Sequence, residues 1–197
     1  MADPNRVTFD LAQAMHRLGT GDLAVLRRAS DPAAAPAFWR LAARHDELSR
    51  GPERWGPIVQ ALAILTAKGA PEGRAARHAG DHDRAALIDP RRPFGEALCD
   101  ACDPGWHEAS SPRPLLSERR LAQLLAARGA GRRTLLLRAV RALAAKRDPR
   151  HGLDVGDLAW AFLHAGEPGR IAGPYYRRLD RAGRGADTPD TETTVDA

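Results

Sequence analysis

Valine and isoleucine together fill only ten of the 197 positions, whereas alanine fills 38. A sizeable sheet draws on β-branched side chains, and this chain has too few to build one. Alanine, leucine and arginine, all strong helix formers, dominate instead, and the expected fold class is all-α. Hydrophobic residues make up 43% of the chain, enough for a real core at this length.

Apolar residues recur with helical period along most of the sequence. A first helix is expected over 8–18 through Phe9, Leu11, Met15 and Leu18, stopped by Gly19-Thr20-Gly21. A second is expected from Asp22 to Ala29, and a third opens at Pro36, a favoured first-turn residue, with Phe38, Leu41 and Ala42 turned inward. A fourth covers about 57–67, and a short one lies near 94–101 between two Gly/Pro/Asp-rich loops, 69–93 and 103–114. Ser117 can cap a helix running to Arg128, which Gly129 and Gly131 would end. Helices over 132–146, 154–164 and 168–181 follow. The expected organisation is an N-terminal helical domain over 1–112, a basic helix bundle over 113–182 and an acidic disordered tail over 183–197.

Charge is not spread evenly. Residues 1–112 carry 14 cations and 15 anions, residues 113–150 carry 11 and 2, and residues 151–197 carry 5 and 8. The overall +5 therefore comes from a block of +9 confined to 38 residues, which a general bias toward arginine codons would not arrange. Within it, Arg119 stands opposite the Leu121/Leu124/Leu125 stripe, Arg120 lies beside that face, Arg128 ends that helix, Arg132 and Arg133 open the next, and Arg138 and Arg141 point away from its apolar face. Guanidinium forks pair bidentately with phosphate oxygens, and a merely solvated helix face would carry more acids at i,i+4 spacing. The array is thus a candidate polyanion-binding surface. With almost only Arg, Leu and Ala on offer, it suits backbone contact rather than base reading, and a regulator inserting one helix into the major groove is the competing binding hypothesis.

Other constellations are weaker. Cys99 and Cys102 have zinc-type spacing with His78, His82 and His107 nearby, but buried thiols are the simpler expectation, and no metal or cofactor is assigned. Arg40 and His45 match the Arg-four-residues-His spacing of some helical ribonucleases, although a plain helix end accounts for them as well. No P-loop, GxSxG, GxGxxG or HExxH is present, so no enzyme activity is expected. Trp39, Trp55, Trp106 and Trp160 are expected to anchor the core. No apolar run approaches the roughly 18 residues of a membrane span and no secretory pattern opens the chain, which reads as cytoplasmic.

The ordered set LGTGDLAVLRRASDPAAAPAFWRL (18–41), FGEAL (94–98), SERRLAQLLAARG (117–129), a following Arg/Leu helix and PYYRRL (174–179) resembles the CasB small subunit of the type I-E CRISPR Cascade complex. The likeness runs from Leu11 to Leu179; the stretches 69–93 and 103–114, the CxxC and the tail depart from it. It implies an all-α, non-catalytic, architectural role. A second copy of the same chain, the backbone and large subunits, guide RNA and target DNA would be its partners, and cutting would fall to a separately recruited nuclease-helicase. The family's contacts to nucleic acid would map onto Arg27 or Arg28, Arg120, Arg128 and Arg138; Arg119, Arg132, Arg133 and Arg141 are added from local charge alone.

Overall fold

The computed structural model describes residues 3–67, 87–106 and 113–186, with side chains to residue 182. Among them are ten α-helices: α1 (Pro4–Met15), α2 (Thr20–Arg28), α3 (Pro36–Ala42), α4 (Asp46–Arg50), α5 (Pro52–Leu65), α6 (Phe94–Asp100), α7 (Glu118–Ala126), α8 (Gly129–Lys146), α9 (Val155–Leu163) and α10 (Gly169–Ala186). A 3-10 turn at Pro32–Ala34 leads into α3, and a single parallel bridge joins Ile88 to Leu153. The all-α expectation holds.

Helix α5 is the hub. Trp55, Ile58, Val59, Leu62 and Leu65 are all buried, and even Gln60 is turned inward, giving up its Nε2 protons to the carbonyls of Arg27 and Ala29. A helix buried on nearly every side needs neighbours on every side, and α5 packs against α1, α2, α4, α8 and α9. One apolar cluster runs from Val7 and Leu11 of α1 through α5 to Leu143 of α8 and Leu158 of α9, so residues on both sides of position 112 share a core.

The last helix is fastened to α6 by polar anchors as well as apolar ones. The buried Asp100 carboxylate accepts from Arg92 Nη1 and Arg178 Nε, each at 2.8 Å, and from the Cys102 amide. Asp157 accepts from the Phe94 amide at 2.8 Å and from Arg170 Nε at 2.6 Å, and Tyr175 donates its hydroxyl to the Leu116 carbonyl.

Several local expectations need correction. Helix α1 starts at Pro4, capped by Asp3, and ends at Met15, so Thr20 and Gly21 form the first turn of α2 rather than a stop. Helix α4 arises where no periodicity signalled one, and Gly129, read as a terminator, instead opens α8 with φ of 54°. Trp55 and Trp106 are core residues, but Trp39 is 47% exposed with Nε1 bound to the Ala33 carbonyl, and Trp160 is half-buried, stacked on His164 at 3.6 Å. Only the ends of the two expected long loops are described, and after Ala186 the acidic tail lies outside the described residues.

Candidate nucleic-acid interface

Helices α7 and α8 are joined by Ala127 and Arg128 alone and touch each other. Leu121 and Leu124 of α7 and Leu136, Ala139, Val140 and Leu143 of α8 are buried, so the charged faces of both helices turn outward together. Glu118 is the only acid in the sequence of the two helices. Arg119, Arg120, Arg133, Arg138 and Arg141 are exposed and make no ion pair among the described residues. Along α8, Arg133, Arg141 and Arg138 follow one another around the helix over about 140° at about 100° per residue.

Two of these side chains meet at one groove. Arg120 of α7 and Arg138 of α8 border a hollow of about 280 Å³, floored by Leu116, Leu124, Leu135 and Ala139, with Gln123 on its wall. Two cations over an apolar floor form a setting in which a phosphate is held at the rim and a flat apolar group can lie beneath it. Arg141 borders a different hollow, about 510 Å³, between the C-terminal ends of α5 and α8, and Arg27 of α2 lines the same space. The Leu-Arg-Arg helix and the basic bundle therefore share one side of the molecule at that point.

The remaining sequence candidates are engaged in the fold. Arg27 spends its guanidinium on the end of α5, with Nε on the Ala63 carbonyl at 2.7 Å and Nη2 on Thr66 at 2.8 Å. Arg28 is the exposed member of the pair and, among the described residues, reaches only the Ala24 carbonyl of its own helix. Arg128 lays Nη1 on the carbonyls of Leu125, Ala126 and Ala127, capping α7. Arg132, expected on the charged face, is instead 3% exposed and donates to the carbonyls of Leu124 and Ala161. Arg147, not anticipated, closes α8 by bonding the carbonyls of His151 and Leu65, and burial pushes its pKa down. The long-range roles, Arg27 on Ala63 and Thr66, Arg132 on Leu124 and Ala161 and Arg147 on Leu65, leave no local pattern in the sequence, because each depends on a carbonyl brought in by folding.

Cys99 and Cys102 are buried, and burial pushes both thiols up to about 12, which opposes the thiolate that a metal would need. His78, His82 and His107 lie outside the described residues, and among the described residues no three His, Cys, Asp or Glu side chains gather as a metal site. Arg40 ion-pairs with Asp22 at 2.7 Å, while His45 sits beyond the end of α3 as the residue before α4, so the pair straddles a helix end. No helix among the described residues is long and apolar enough to cross a membrane.

An all-helical chain with an outward arginine surface almost free of acids is the class that fold and site define. Residues 22–181 match the family described as CRISPR-associated protein Cse2, and the chain belongs to that family. Cse2 is the CasB small subunit of type I-E Cascade, the family that the ordered sequence motifs resemble. No curated protein and no solved structure matches the chain.

Proposed function

We propose that this Cascade small subunit binds nucleic acid without sequence preference and holds the target and displaced strands of the R-loop, in antiviral defence and without catalysis of its own. Guide RNA, target DNA, the backbone and large subunits and a second copy of the chain are its partners, in the cytoplasm. The observation that carries this reading is the α7/α8 surface, where Arg119, Arg120, Arg138 and Arg141 stand exposed with no acid among the described residues paired to them. Arg28 extends the set from α2; Arg27 and Arg128 support the fold that presents it. Exchanging a DNA duplex for an RNA–DNA heteroduplex is nearly balanced in energy, so a few phosphate contacts are enough to tip it.

The test is strand opening on a supercoiled target by the reconstituted complex carrying Arg120→Ala and Arg138→Ala. The expected result is reduced retention of the unwound strands with assembly intact. Wild-type opening by this variant would refute the assignment.

A further inference from the structure

The start of α8 gathers charge of the wrong sign. An 18-residue helix presents the positive end of its dipole and its unsatisfied amides at Gly129. Such ends attract Asp or Glu, yet this one has no acid in its first turn and no side-chain cap. Arg128, Arg132 and Arg133 stand there instead.

Arg132 is the most exacting of the three. It is almost wholly buried, and its two guanidinium bonds, at 3.2 and 3.3 Å, go to neutral carbonyls and are long. Among the described residues its buried Nε has no hydrogen-bond partner, and no carboxylate pairs with it. Burial, and then the charge of Arg128, lower its pKa. A buried cation with no counter-charge is among the least favourable arrangements a fold can keep.

Arg132 lines a hollow of about 190 Å³ between α5, the start of α8 and the end of α9. Arg54 of α5 and Arg133 line it too, Phe162 and Leu163 supply an apolar wall, and no Asp or Glu among the described residues borders it. At about 30 Å³ per water the space equals roughly six waters, room for a phosphate-sized group with part of its hydration.

We propose that this hollow is an oxyanion site that takes a phosphate group, held by Arg54, Arg132 and Arg133 at the positive end of α8. Planar guanidinium forks match phosphate oxygens, and a helix N-terminus adds its own field in the same sense. A bound phosphate supplies the charge that Arg132 lacks and ties α5, α8 and α9 together at the joint where they meet. Free inorganic phosphate and a backbone phosphate of a nucleic-acid strand offer the same chemistry here. The site is separate from the α7/α8 groove, since Arg54 and Arg133 do not line that groove.

Inorganic phosphate titrated into the full chain, at ionic strength held constant with chloride, tests the site by phosphorus NMR and thermal melting. One phosphate per chain and a saturable rise in Tm are expected, with affinity reduced at least tenfold in Arg54→Gln/Arg133→Gln. Arg132→Met gives a test of sign. Without phosphate it should melt at or above the wild type, and in saturating phosphate below it, because only the wild type gains. Should that variant fail to fold, the double variant still decides. A phosphate effect no larger than chloride's, or unchanged affinity in Arg54→Gln/Arg133→Gln, overturns the proposal. A single-stranded oligonucleotide added to the phosphate-loaded chain identifies the source: displacement assigns the site to a strand phosphate, coexistence to the free anion, and either outcome supports the site. Arg120→Ala/Arg138→Ala keeps the two readings apart, since it should lose strand binding while keeping inorganic phosphate.

Discussion

A single carboxylate, Asp100, holds two cations inside the protein. Its side chain is fully enclosed, Arg92 and Arg178 lean on it from the α6 approach and from α10, and the Cys102 amide takes its other oxygen. Replacing it with Asn keeps the shape and removes the charge, leaving two largely buried guanidiniums uncompensated. Breaking a buried pair in this way costs about 3–5 kcal/mol, and urea denaturation of Asp100→Asn should show a loss of that order. The neighbouring thiols set a dependence on pH. Cys99 and Cys102 are pushed up to about 12 by burial from an ordinary value of 9.0, so between these limits the folded chain keeps protons that the unfolded chain releases. Stability unaffected by the thiols below about pH 9 must then fall as pH rises toward 12. Unfolding free energy measured across that window should decline less steeply in Cys99→Ala/Cys102→Ala, and an identical slope would contradict the burial argument.

At the scale of elements, Gly95 of α6 lies hard against α10. A Cβ built there would stand 2.0 Å from the Ile171 carbonyl oxygen and 2.9 Å from its carbon, both backbone atoms that have no rotamer to turn away. Gly95→Ala must therefore displace α10, at an overpacking cost of about 1–3 kcal/mol, and hydrogen exchange should quicken through α10 while α5 stays protected. The sequence carries helices well where an apolar period and a start signal coincide, as at Pro36 for α3 or Asp154 for α9. It fails at α4, whose five residues are too few for a period, and at Gly129, where a positive φ joins two helices and the same glycine reads equally as an end or a beginning. That Arg120 and Arg138 have few acids within reach was legible, because scarcity of acids is a property of sequence. Arg132 was not, since Leu124 and Ala161, whose carbonyls enclose it, lie eight and 29 positions away.

For the whole molecule, the arginines divide into those that hold the fold and those that face outward, and the division can be measured. Arg128 caps α7 through three carbonyls, so Arg128→Ala should lower stability by about 0.3–1 kcal/mol, the usual worth of a cation at a helix C-terminus. Arg120 and Arg138 support no described carbonyl or carboxylate, and replacing both should change stability by no more than about 0.5 kcal/mol. Their effect should appear instead in the salt dependence of single-strand binding. Each phosphate contact contributes about −0.7 to the slope of log affinity against log salt, so losing two should flatten it by about 1.4. Arg128→Ala, by contrast, should move melting more than slope. Binding isotherms at several salt concentrations, set beside melting curves for the same variants, separate the two groups. A slope unchanged in Arg120→Ala/Arg138→Ala would mean that the exposed groove is not where the strand lies, however well its charge suits one.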